Sequence, residues 1–169
     1  MKIRKAMLTD VAGIASVHVD SWRTTYANIV PNEYINDLTY EKRAGLWEQI
    51  IPNGQVFVAE DDNGHIVGFA NGGPERTGEY PKYAGEMYAI YILQDFQKQG
   101  LGEQLIKAVV ADLLNQNIHS MLVWVFQDNT SRYFYEKMGG KVVDRETVDF
   151  VGTNLIELAY GWEDINLLK

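Results

Sequence analysis

Residues 86–93 (EMYAIYIL) are apolar at every position after the first. A strand with one wet face alternates in polarity. A strand apolar on both faces has to be covered on both, which marks a central strand of a layered α/β sheet. The next residues narrow the fold further. Gln97-Lys98-Gln99-Gly100-Leu101-Gly102 carries two glycines, and Leu101, Leu105, Ala108, Val109 and Leu113 then recur at helical spacing, with Asp112 the polar exception. A buried strand therefore passes through a glycine loop into an amphipathic helix. The first N–H groups of that helix lack internal partners, the macrodipole adds partial positive charge, and glycine admits close approach. Such a terminus suits a phosphate, and Lys98 can add charge. An unliganded strand-to-helix turn reads the same way when a Gly-x-Gly stands alone. The third glycine of a dinucleotide fingerprint is missing, with Leu at position 105, and no Gly-Lys-Ser/Thr of a P-loop follows.

The rest of the chain supplies the layers. Residues 2–5 form a short candidate strand, and Thr9 and Asp10 can cap a helix from about Val11 to Arg23. A turn at Asn28–Pro31 precedes a second helical stretch over 40–50, which Pro52-Asn53-Gly54 ends. Two β runs, 55–60 and 65–72, flank Asn63-Gly64, a strong hairpin signal. Residues 74–85 read as a loop, or as a lid over a site, and 121–126 (MLVWVF) as a further strand. A short helix opens at Asn129 and closes at Gly139-Gly140, and two strands, 141–150 and 154–162, surround Gly152. The order is that of a mixed α/β sheet.

At 169 residues the chain is expected to be one domain over 1–169. With no apolar run near the ~20 residues of a membrane span, no signal peptide and no cysteine, a cytoplasmic location away from membranes is expected. The absence of cysteine also excludes thiolate catalysis and cysteine-based zinc sites. A net charge of −8 disfavours nucleic acid and suits a cationic substrate. His18, His65 and His119 sit in no metal-ligand spacing, so no metal site is expected.

Residues 89–106 (AIYILQDFQKQGLGEQLI) resemble the acetyl-CoA signature of the GNAT N-acetyltransferase superfamily, Q/R-x-x-G-x-G/A. Further on, Asn129 through Gly140 (NTSRYFYEKMGG) resembles the family's second motif, and SWRTTY at 21–26 is similar to a bacterial branch of small-molecule N-acetyltransferases. The resemblance implies the GNAT fold: a mixed, mostly antiparallel central sheet of about seven strands with flanking helices and a splayed central pair of parallel strands. It implies acetyl-CoA as cosubstrate, with pantetheine pairing along Ile90, Tyr91 and Ile92 in the manner of an added strand. Gln97, Lys98, Gln99, Gly100, Leu101 and Gly102 match the pyrophosphate loop, and Asn129 matches the residue touching the cofactor arm, where it can equally be a helix N-cap.

Tyr135 matches the tyrosine near the thioester sulfur, a phenol able to protonate the departing thiolate; packing beside Phe134 and Met138 is its structural alternative. Many members place this tyrosine one residue further from the Asn, so Tyr133 is the rival. A protonated amine must lose a proton before attacking, to a carboxylate or to a water chain. Glu86 is the candidate base, partial burial raising its basicity; an exposed strand-end carboxylate is the alternative. Some relatives carry a glutamate on the strand before the Asn, where Trp124 stands here. Attack would be direct, through a tetrahedral intermediate held by a backbone donor of the signature strand. Trp22, Tyr26 and Tyr34 can form an aromatic wall around a small-molecule amine or simply pack together. A non-catalytic acyl-CoA sensor module and a protein N-terminal or lysine acetyltransferase are the other readings, and a homodimer stays open.

Overall fold

A seven-stranded sheet in the order β1-β2-β3-β4-β5-β7-β6 organises the computed structural model, which describes residues 1–168. The strands are β1 (Lys2–Lys5), β2 (Gln55–Glu60), β3 (Ile66–Pro74), β4 (Gly85–Ile92), β5 (Met121–Phe126), β6 (Lys141–Phe150) and β7 (Thr153–Trp162). The helices are α1 (Val11–Thr25), α2 (Asn32–Asp37), α3 (Tyr40–Ile50), α4 (Leu101–Asn115) and α5 (Arg132–Lys137). Every strand pair is antiparallel except β4–β5. The fold is thus the mixed, mostly antiparallel α/β sheet with one central parallel pair that the resemblance implied. Helix α2 was not expected: six residues after Pro31 are too few to show a 3.6-residue period.

The burial of β4 on both faces explains its composition. On one face α4 packs Leu105, Ile106, Val109 and Leu113 against Met87, Ile90 and Ile92. On the other, Ile14 and Val17 of α1 and Trp47 of α3 cover Phe69, Ala89 and Tyr91. Alternate residues of one strand therefore serve two cores, as a two-residue period requires. Opposite β4, the pairing steps from Asn71↔Ala89 to Gly72↔Met87, so Tyr88 is an extra residue in its strand. A bulge of this kind bends the strand and raises its local twist. On the other side, β4 and β5 pair only at Gly85↔Met121 and Glu86↔Leu122. Beyond the bulge they separate.

Asp10 does not cap α1 with its side chain. Its carboxylate accepts from Arg4 Nη1 at 2.7 Å and Nη2 at 2.8 Å, and from the Met7 amide at 2.8 Å. Those bonds tie β1 to the start of α1, and the Arg4 guanidinium holds the Asp10 carboxyl below its usual value. A depressed carboxylate stabilises the fold above its unfolded pKa, and the effect fades as pH falls through the folded value. Asp10→Asn is expected to cost about 2–3 kcal/mol at pH 7, somewhat less than breaking a fully dry pair. In urea titrations the difference from wild type should narrow on acidification; a constant difference would show that charge is not the cause.

Candidate active site

The turn into α4 carries the first element of the site. Gly100 is its N-cap, in the left-handed region at φ +83°, and Lys98 shares that region at φ +59°. Among the described residues, the amides of Lys98 through Glu103 find no acceptor, and the first bond of the helix is Gln104 N–H to the Gly100 carbonyl. Gln97 Nε2 donates to the Ile92 carbonyl at 3.0 Å and Gln99 Nε2 to the Asp95 carbonyl at 2.9 Å, lacing the loop to the end of β4. The two glycines have different reasons. A Cβ at Gly100 would stand in open space, whereas one at Gly102 would meet the Phe134 ring at 3.1 Å. Gly102 lets α4 approach α5, and only Gly100 clears the cradle. Leu101 lends its amide while its side chain is core. A concave row of unpaired amides at a helix N-terminus fits a diphosphate.

The second element is the slot where β4 and β5 part. It has a volume of about 80 Å³ and is lined by residues 88–92 and Gln97 on one side, by Val123, Trp124 and Val125 on the other, and by Tyr26, Asn129 and Tyr135 at its end. A chain laid there would meet backbone groups that have no sheet partner, which suits the amides of a pantetheine arm. Tyr135 is buried, its hydroxyl makes no hydrogen bond among the described residues, and burial, followed by nearby Tyr91, pushes its phenol above the ordinary tyrosine value. It therefore keeps its proton at neutral pH. Tyr133 is 55% exposed and receives a hydrogen bond from Arg132 Nη2 at 2.8 Å; it does not line the slot. Asn129 is used twice: its Oδ1 accepts from the Ser131 amide at 2.9 Å, and its Nδ2 donates to the Tyr26 hydroxyl at 3.1 Å.

A third element lies on the α1/α3 face of β4. This chamber of about 370 Å³ is lined by His18, Trp47, Asn71, Arg76, Tyr88, Ala89 and Tyr91, among others. Tyr88, Ala89 and Tyr91 also line the slot, so slot and chamber meet at the β4 bulge. His18 accepts at Nδ1 from Trp47 Nε1 at 3.1 Å and stacks on Tyr91. Burial lowers its pKa to about 3. The neutral ring thus carries its proton on Nε2 and is no acceptor for another.

Glu86 is 3% exposed but belongs to neither cavity lining. Oε2 accepts from Arg76 Nε at 3.1 Å and from the Arg76 amide at 3.3 Å, and Oε1 accepts from Nη2 at 2.5 Å. Burial was expected to leave this carboxylate hungry for a proton; a bidentate guanidinium occupies it instead. Trp22, Tyr26 and Tyr34 are brought together, with Trp22 4.3 Å from Tyr26 and 5.2 Å from Tyr34 between ring centroids. They close on Phe126 and Phe150 as a small core, and only Tyr26 reaches the slot. The chamber residues Trp47, Asn71 and Arg76 escaped the sequence reading. A polar Asn71 inside the apolar run IVGFANGG was the available signal. Residues 75–84 are strapped down: Glu75 accepts from Thr77 and Gly78, and the Tyr80 hydroxyl donates to Asp144 at 2.7 Å. No cluster of three metal-ligating side chains occurs, and no helix is long and apolar enough to cross a membrane, among the described residues.

Comparison with known proteins agrees with this geometry. Residues 13–140 match the acetyltransferase (GNAT) family. The uncharacterized N-acetyltransferase YuaI of Bacillus subtilis is 42% identical over 167 residues, 99% of this chain and 95% of its own. The spermidine N(1)-acetyltransferase of Thermoplasma acidophilum is 23% identical, covering 89% of this chain and 94% of that one. The L-methionine sulfoximine/L-methionine sulfone acetyltransferase of Pseudomonas aeruginosa PAO1 is 28% identical over 76% of this chain and 73% of its own. In structure, the Thermoplasma acidophilum PaiA N-acetyltransferase in complex with coenzyme A superposes with a TM-score of 0.74 at 23% identity, over 93% of this chain and 96% of that one. A splayed parallel pair, an amide cradle at the foot of α4 and this match over most of the chain agree: the protein belongs to the GNAT family and is an acetyl-CoA-dependent acetyltransferase.

Proposed function

We propose that the protein transfers the acetyl group of acetyl-CoA directly to the amine of a small molecule. The observation that carries this reading is the meeting of slot and chamber at Tyr88, Ala89 and Tyr91. A donor in one and an acceptor in the other would face each other across a single bulged strand. Relatives named for spermidine and for methionine sulfoximine act on small amines, and the aromatic walls of the chamber suit such a molecule better than a protein chain.

Bound acetyl-CoA supplies an acyl carbon activated as a thioester. The chain's share is placement and proton movement. The unpaired amides of Lys98 through Gly102 hold the diphosphate, with Gln97 and Gln99 bracing their loop. The edges of Ile90, Tyr91 and Ile92, with Asn129, hold the arm. The amine forms a C–N bond as the C–S bond breaks, and Tyr135 gives its proton to the sulfur. The developing oxyanion would be met by a backbone N–H of β4. Tyr26 supports this end of the slot through Asn129, with Trp22 and Tyr34 packed behind it.

The amine's proton is read as leaving through water at the chamber mouth, because Glu86 is engaged by Arg76 and His18 has no free acceptor. Glu86→Gln separates the two routes. Under the water route its activity profile keeps the acidic-limb midpoint of wild type. Loss of that limb, with kcat down ~10²-fold or more, would restore Glu86 as the base. The reading as a whole is tested by thiol release from acetyl-CoA across a panel of small amines. Amine-dependent release is expected; tight CoA binding with no release above water would leave a sensor module.

A further inference from the structure

Two buried side-chain oxygens on the chamber wall, Gln55 Oε1 and Asn71 Oδ1, find no hydrogen-bond partner among the described residues, and Asn71 is the one beside the bulge. Asn71 is only 7% exposed and lies directly opposite Ala89. A buried oxygen left without a donor is destabilising, and a substrate that donates to it recovers that cost. Arg76 stands at the mouth, with its side chain 61% exposed. Glu86 occupies Nε and Nη2, and the Tyr88 ring lies 4.6 Å below the guanidinium carbon. Nη1 is given no acceptor by the described residues. The guanidinium is therefore fixed in position with a fork edge still open. Among the described residues no carboxylate lines the chamber, which makes it a poor place for a second ammonium group.

Building on the acceptor-chamber reading above, we propose that Asn71 and Arg76 select an acceptor carrying both an amine and an anionic group, an amino carboxylate in its simplest form. The Asn71 carboxamide meets the amine end beside the thioester, and Arg76 Nη1 meets the carboxylate at the mouth. Charge pairing with Glu86 keeps Arg76 from being a deep anion trap, so product can leave. A polyamine would place its extra positive charge against Arg76 and would be excluded.

The test compares acceptors in pairs, each amino acid with its decarboxylated amine, and spermidine beside them. Thiol release is expected to favour the amino acids in kcat/KM by ~10-fold or more, the equivalent of one charge-assisted hydrogen bond. Arg76→Gln should collapse that ratio, chiefly through KM for the amino acid, and Arg76→Lys should restore part of it. Because Arg76→Gln strands a buried carboxylate, the Arg76→Gln/Glu86→Gln double variant is measured as well and should show the same collapsed ratio with the fold intact. Asn71→Leu should lower kcat/KM for both members of a pair. Binding is read separately, as thermal stabilisation of the CoA-loaded protein by N-acetyl amino acids against N-acetyl amines. Stabilisation by the acids alone supports the selection even where turnover is absent, a result that would count only against the catalytic reading. Preference for decarboxylated amines or spermidine, or an unchanged ratio in both Arg76 variants, overturns the proposal.

Discussion

Tyr135→Phe is expected to lower kcat by ~10²-fold or more while leaving CoA affinity and thermal stability close to wild type. The substitution removes one hydroxyl, and that hydroxyl makes no hydrogen bond among the described residues. The ring keeps its contacts with Tyr160 and Trp162, so packing is conserved. Burial raises the phenol's pKa and holds its proton across neutral pH, and the same dry surroundings penalise a free thiolate, which favours transfer to the sulfur as it leaves. A structural role for Tyr135 would instead show as lost stability with activity per folded molecule retained. Full turnover in the variant would pass the proton to water, since Tyr133 is held outside the slot by Arg132.

Gly100→Trp should abolish detectable CoA binding and, with it, activity. Space at Gly100 is open, so the indole would not clash with the protein; it would fill the concavity into which the loop amides point. Two effects must be separated. The left-handed φ of +83° costs any L side chain about 1–2 kcal/mol, whatever its size. Gly64 has φ +85° in the β2–β3 turn, with nothing within 4 Å of a Cβ there, and Gly64→Trp serves as the control for strain. Calorimetric titration with CoA should find binding intact in the Gly64 variant and absent in the Gly100 variant. Equal losses would trace the effect to strain, and unchanged affinity in Gly100→Trp would remove the cradle from the mechanism.

The difference between donor and acceptor halves explains how much could be read from residues alone. The donor half is local. Gly100, the loop amides and the apolar β4 lie within one strand-loop-helix segment, and Asn129 and Tyr135 within one short helix and its approach. Each such segment carries its geometry in its own spacing. The chamber proposed for the acceptor is assembled from α1, α3, β3, the 75–84 loop and β4, whose members are brought together only by packing. Glu86 shows the consequence. Its burial was legible from the apolar run after it, but its partner Arg76, across the loop, was not, and that partner engages both oxygens of the candidate base. Trp22, Tyr26 and Tyr34 show the converse: the cluster could be foreseen, but its closure on Phe126 and Phe150, with Tyr26 the member that reaches the slot, could not.

Periodicity, a glycine loop and two short motifs thus determined the order of elements, the family and the turn into α4, because these act over a few neighbouring residues. Tertiary structure alone decided where β4 leaves β5, which phenol closes the slot, and which charges Glu86 and Arg76 have left to offer. The bulge at Tyr88 is set by pairing with β3, and the remaining chemistry of a buried side chain depends on neighbours far away in the chain that desolvate or neutralise it.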